Sequence, residues 1–163
     1  QFVFDLPNDV DLISPMVGLL MQVISGMELI SGSELVRMGV AIEHALVNAM
    51  YRGNLELGPS VTPAHRALVY DGATTDLIDK RKSSDPYQTR RVSVDATASK
   101  HEIRVIVRDQ GKGVDTSSVP GPEDPKVLDT ESGQGLVLMA SFTDELVYND
   151  IGNEVTLIKK IAG

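Results

Sequence analysis

A chain of 163 residues that is 42% hydrophobic can bury a core sufficient to fold alone, so residues 1–163 read as one domain with no need of a second. It has no cysteine, which excludes disulfides, thiolate metal sites and a thiol nucleophile, and which fits a reducing cytoplasm. Fifteen basic against 23 acidic residues give a formal charge of −8, which argues against nonspecific nucleic-acid binding, although Lys80-Arg81-Lys82 and Arg90-Arg91 could form a local basic patch.

The first predicted element is a strand over residues 2–6. The chain begins at Gln1, already next to strand-like Phe2-Val3-Phe4, as expected of a domain cut from a longer protein. A helix is predicted over 9–27. Its apolar run is too short and too interrupted by Ser14, Pro15, Gln22 and Ser25 for a membrane span, and no signal peptide is visible. The next helix runs over 33–53, with Ser33 as N-cap, an apolar stripe of Leu35, Met38, Ile42, Ala45, Leu46 and Ala49, and Gly53 as its stop. Its other face carries His44, Asn48 and Arg52. Asparagine is unfavourable inside a helix, so Asn48 marks either a solvated face or a site.

A third helix is predicted from Thr62 or Pro63 to about Lys82, with Pro63 suited to its first turn. Strands follow over 91–96 and 101–108, then a helix over 136–142, a strand over 145–148, a turn at 149–152 and a last strand over 154–161. Helices first and a strand meander later indicate an α+β two-layer sandwich, with helices on one face of a mixed, mainly antiparallel sheet.

The strand ending at Arg108 delivers Asp109 and then two alternate glycines, Gly111 and Gly113. That arrangement sets one acceptor and bare backbone against a ligand. After a spacer containing Pro120, Pro122 and Pro125, a second pair, Gly133 and Gly135, opens the helix-like run from Leu136, whose N-terminal amides suit anionic phosphate. Together the two loops point to nucleotide binding. Each alone is weak, since Asp-x-Gly-x-Gly also occurs in calcium loops and ordinary turns.

Asn48 with Ala49 on a helix, then Asp109-x-Gly111-x-Gly113, then Gly133-x-Gly135, resembles the N box and two glycine boxes of the GHKL ATP-binding superfamily. The phrases Ala45 through Glu56 and Gly135 through Leu157 look like its anti-sigma-factor serine/threonine kinase branch. The resemblance spans about residues 9–160 and implies the Bergerat-type sandwich, ATP and Mg²⁺ as cofactors, and a sigma factor or anti-anti-sigma-like protein as partner. Members often sit beside receiver or phosphatase domains, and a homodimer is compatible with the resemblance. Nothing points to direct nucleic-acid or membrane binding.

On that resemblance Asp109 would accept a hydrogen bond from the adenine amine, rejecting guanine, which presents a carbonyl there. Gly111 and Gly113 would let backbone approach base and ribose, and Gly133 and Gly135 would offer amides to phosphate. Asn48 would give Mg²⁺ a hard amide oxygen, and Thr156 would contact adenine. The spacer 114–132 resembles a nucleotide lid, and Lys112 or Lys126 either reaches phosphate or, as is the default for lysine, stays solvated. His44 departs from the pattern: the branch usually has a glutamate base four residues before the metal asparagine. Glu43 lies on another helix face, so His44 either replaces the base, or the site binds without turnover, or His44 packs at the helix surface. Arg52 stands where relatives usually have histidine, and Gln134 where they have arginine.

Overall fold

The computed structural model describes residues 1–58, 72–114 and 131–161. Strand β1 (Phe2–Pro7) is followed by a 3₁₀ turn (Val10–Leu12) and helix α1 (Ile13–Gly26). The 3₁₀ turn is capped by Asp9, whose carboxylate accepts from the Asp11 amide at 3.1 Å. This splits the helix expected over 9–27 into a turn and a helix. Helix α2 (Gly32–Val47) starts at Ser31, not Ser33, because Ser31 and Glu34 form a reciprocal capping box.

The helix path then widens into a π segment, Asn48–Asn54, in which the Leu55 amide reaches back to Met50 at 3.0 Å. One extra residue in the turn re-aims everything beyond Val47, and such insertions concentrate at functional sites. The expected stop at Gly53 is therefore moved on, and Leu57 closes the segment by donating to the Tyr51 carbonyl at 2.9 Å.

Helix α3 (Gly72–Lys82), strands β2 (Arg91–Ala98) and β3 (Glu102–Arg108), helix α4 (Glu131–Phe142), and strands β4 (Glu145–Tyr148) and β5 (Glu154–Lys160) complete the described elements. The first part of the third predicted helix, over 62–71, and most of the predicted lid, over 115–130, lie outside the described residues. The sheet order is β1-β2-β3-β5-β4, and each neighbouring pair is antiparallel, so the described sheet is antiparallel throughout and not mixed.

Alternation decides which face is core. Val92, Val94, Ile103, Val105, Val107, Val155 and Leu157 are buried and pack with Leu20 and Ile24 of α1, Met38, Ile42 and Leu46 of α2, and Met139 of α4. Each such side chain contributes about 1.5–3 kcal/mol by leaving water. The stripe predicted on α2 is the buried one, with Leu35 only partly covered. Among the described residues no helix is long and apolar enough to cross a membrane. The fold is thus an α+β sandwich with its helices over one sheet face.

The expected basic patch is taken apart by folding. Arg81 donates to the Leu55 carbonyl at 2.6 Å and lies over the Tyr87 ring, while Arg90 covers the same ring and pairs with Glu56 at 2.9 Å. Arg91 pairs with Asp5.

Candidate nucleotide site

Asp109 continues β3 beyond Arg108, and its amide donates to the Asn153 carbonyl at 2.9 Å, extending the β3–β5 register by one more pair. The alternation that buries Ile103, Val105 and Val107 therefore turns Asp109 to the helix face, where it is only 8% exposed. Its Oδ1 accepts from the Gly111 amide at 2.7 Å. Burial pushes the carboxyl up to about 6, against the opposing pull of the Gly111 amide and the Arg90 charge. A desolvated carboxyl has the chemistry of a ligand acceptor, and the turn-capping role expected of an ordinary aspartate is present as well.

Glycines make the space for it. A Cβ on Gly53 would fall on the Asp109 carboxyl, and a Cβ on Gly111 would fall on the Gly53 carbonyl. The π segment, carrying Gly53, is thereby seated directly on the Asp109–Gly111 turn. Gly113 has φ +79°, and a Cβ there would strike the Ile151 carbonyl; Gly152, at φ +72°, meets Val114 in the same way. These two left-handed residues let the segment after β3 cross the β4–β5 turn at backbone contact. Gly113 is thus committed to packing of the protein on itself.

Asn48 opens the π segment, half-buried, its amide bonded to the His44 and Ala45 carbonyls. His44 faces α4: a Cβ on Gly135 would lie 3.2 Å from its Nδ1. The helix faces argued from spacing thus bring His44 to the second glycine box. That box is placed differently from expectation. Helix α4 begins at Glu131, so Gly133 and Gly135 lie inside its first turns and do not precede it. Gly133 is still among the first four residues, whose amides have no intrahelical partner, whereas Gly135 is the fifth and lies beyond them.

Thr156 is not brought to this site. It pairs with Ile106 on β3 and Val147 on β4, so it shares the sheet face turned away from the helices, across the sheet from Asp109. The residue of β5's entry that stands beside Asp109 is Asn153, whose Nδ2 donates to the Asp109 carbonyl at 3.3 Å. Lys112 extends from the turn to pair with Glu56 at 3.2 Å. Burial would raise the Glu56 carboxyl, but Arg90 and Lys112 together hold it below the usual range. Lys126 lies outside the described residues. Arg52 is partly desolvated, which lowers its pKa, and the nearby Tyr148 hydroxyl is raised chiefly by burial.

Sequence reasoning missed Asn54, which is fully buried, and Asn153. Asn54 joins the π segment to the Asp109 turn, its Oδ1 accepting from the Gln110 amide at 2.8 Å. The only signal was a second asparagine immediately after Gly53.

Among the described residues no group of three or more histidine, aspartate or glutamate side chains is arranged to hold a metal ion. A divalent ion here would rest on Asn48, phosphate oxygens and water, the donor set Mg²⁺ favours. Comparison with curated proteins gave no match to the chain. Residues 73–159, just over half of the chain, match the histidine kinase-like ATPase domain, a stretch that contains Asp109 and all four glycines of the two boxes. The chain belongs to the histidine kinase-like ATPase domain family, whose fold binds ATP.

Proposed function

We propose that the chain is a Mg-ATP-binding regulatory domain of the anti-sigma-factor serine/threonine kinase kind, which phosphorylates or sequesters a partner protein. The observation that carries this reading is Asp109: a buried carboxyl with one oxygen fixed by the Gly111 amide, seated against Gly53, where any side chain would displace it. Adenine offers its exocyclic N–H₂ to such an acceptor. Guanine offers a carbonyl, which an acceptor repels.

The remaining roles are those the resemblance to the family's boxes implies. Asn48 gives its amide oxygen to Mg²⁺, and the amides of the first α4 turn, Gly133 among them, face phosphate, while Gly135 keeps the contact with His44 close. His44, one helical turn before Asn48 and against Gly135, is the group positioned to take a proton from an attacking serine or threonine hydroxyl. As that proton moves to the imidazole, the hydroxyl oxygen bonds to the γ-phosphorus and the bond to the ADP oxygen breaks. A sigma factor or an anti-anti-sigma-like protein is the partner this reading implies.

One observation favours a second reading. His44 replaces the glutamate of the branch and is packed against α4, as suits a residue that joins two helices. The domain would then be a nucleotide-binding switch without phosphoryl transfer. Titration with ADP and ATP, with and without Mg²⁺, followed by phosphate release in the presence of candidate partners, separates the readings. Mg²⁺-dependent binding with transfer supports the kinase, and binding without transfer supports the switch. No adenine-nucleotide binding rejects both.

A further inference from the structure

Asn54 has no place in the three sequence boxes, yet it is completely buried and every polar group of its side chain is engaged. Its Nδ2 donates to the Asn8 Oδ1 at 3.1 Å and to the Arg91 carbonyl at 3.0 Å. Its Oδ1 accepts from the Gln110 amide at 2.8 Å. Gln110 is held from its other end too, because its Oε1 accepts from the Arg91 amide at 2.8 Å. The Asn54 carbonyl in turn accepts from Arg90 at 2.8 Å.

Gln110 lies between Asp109 and Gly111, the two residues joined by the carboxyl–amide bond of the turn. A peptide anchored at its N–H and through its side chain cannot rotate without breaking a buried bond, and an unsatisfied buried partner costs more than the bond contributes. We infer that Asn54 is a positioning residue for base recognition: through Gln110 it fixes the Asp109–Gly111 turn, and with it the direction in which the Asp109 carboxyl faces a purine. The inference rests on the reading of Asp109 as the adenine acceptor.

The geometry gives a reason for the π segment. Widening the helix over Asn48–Asn54 lets one continuous stretch present Gly53 to the Asp109 carboxyl and Asn54 to the Gln110 amide. Those two neighbours back the Asp109 carboxyl and hold the turn that follows it. Asn54 is accordingly tied to three separate segments: the end of β1 through Asn8, the entry to β2 through Arg90 and Arg91, and the turn after β3.

The test compares ADP with GDP on the intact chain, using Asn54→Ala, Gln110→Ala and Asp109→Asn, each checked for folding by circular dichroism. Gln110 is exposed, so its variant keeps the core intact; it removes the Arg91 tie but not the Asn54 bond, and if Asn54→Ala does not fold, Gln110→Pro, which deletes the N–H that Asn54 accepts, decides the matter by the same ratio. The expected result for Asn54→Ala is a loss of about tenfold in ADP affinity and a comparable fall in the ADP-to-GDP ratio; Gln110→Ala moves both the same way by about threefold. A merely structural residue would lower the melting temperature and leave that ratio unchanged in the folded protein. If Asp109→Asn lowers ADP affinity while Asn54→Ala and Gln110→Ala leave the ratio intact, the inference is overturned and the nucleotide reading stands. If Asp109→Asn itself has no effect, both fall.

Discussion

Gly53 and Asp109 share one space: the Cβ that Gly53 lacks would lie where the Asp109 carboxyl is held. One residue lies in the π segment that Asn48 opens, and the other follows directly on the central strand β3. Two boxes 56 positions apart in mutual register at Asn54 and Gln110 are thereby locked into a single recess. Gly53→Ala is expected to push the carboxyl aside. Overpacking of this kind costs about 1–3 kcal/mol of stability. Chemical denaturation should register that loss, and ADP titration of the folded variant should show weaker binding; unchanged affinity would mean that the carboxyl does not face the ligand.

The Asp109 carboxyl also predicts a pH dependence. Its pKa rises from 3.8 to about 6 in the folded protein, chiefly through burial. Between those values the folded state holds a proton that the unfolded chain has released, so stability falls as pH rises through that window. At neutral pH the cost is on the order of 1–3 kcal/mol, and Asp109→Asn should recover much of it. Denaturation curves between pH 4 and 7 on about this window check the sign. A variant that is no more stable than the parent at neutral pH would contradict the burial account.

Nucleotide binding runs the opposite way. Adenine's amine selects the ionised carboxylate, so affinity should rise with pH through about 6 and binding there should release protons. Calorimetry in buffers of different ionisation enthalpy measures the release directly. Asp109→Asn should abolish it.

Much of this was legible in the residues, and the failures are instructive. The apolar alternation of Ile103, Val105 and Val107 fixed the facing of Asp109, and the α2 stripe fixed the core face that leaves His44 toward Gly135. Thr156 misled because its role came from resemblance, whereas one residue of register moves a side chain to the other face of a sheet. The start of α2 was misplaced since Ser31 and Ser33 are both good caps, and only the reciprocal bond from Glu34 chooses between them. Asn54 was invisible: a buried polar residue satisfied by distant partners leaves no periodic trace.

Asn48→Ala should remove the Mg²⁺ dependence of ATP binding and leave binding in the absence of metal unchanged, because it deletes an oxygen ligand without touching the Asp109 recess. Titrations with and without Mg²⁺ give the comparison. Equal affinity of parent and variant for Mg-ATP would return Asn48 to the role of a helix residue.

His44 separates kinase from switch. His44→Ala should abolish phosphoryl transfer with nucleotide binding retained, and Glu43→Ala should change little. His44→Glu restores the residue usual in the branch. Comparable phosphate release from parent and His44→Glu supports a histidine that works as the base, whereas a large gain over an inactive parent marks the present protein as a binding switch.

The central claim is that Asp109 reads adenine, and isothermal titration of ADP against the parent and Asp109→Asn tests it most directly. The account predicts clear binding by the parent, discrimination against GDP, and a loss on the order of 1–3 kcal/mol in the variant as the acceptor becomes a mixed donor and acceptor. Equal ADP affinity in the two proteins, or no binding by the parent with or without Mg²⁺, would contradict it.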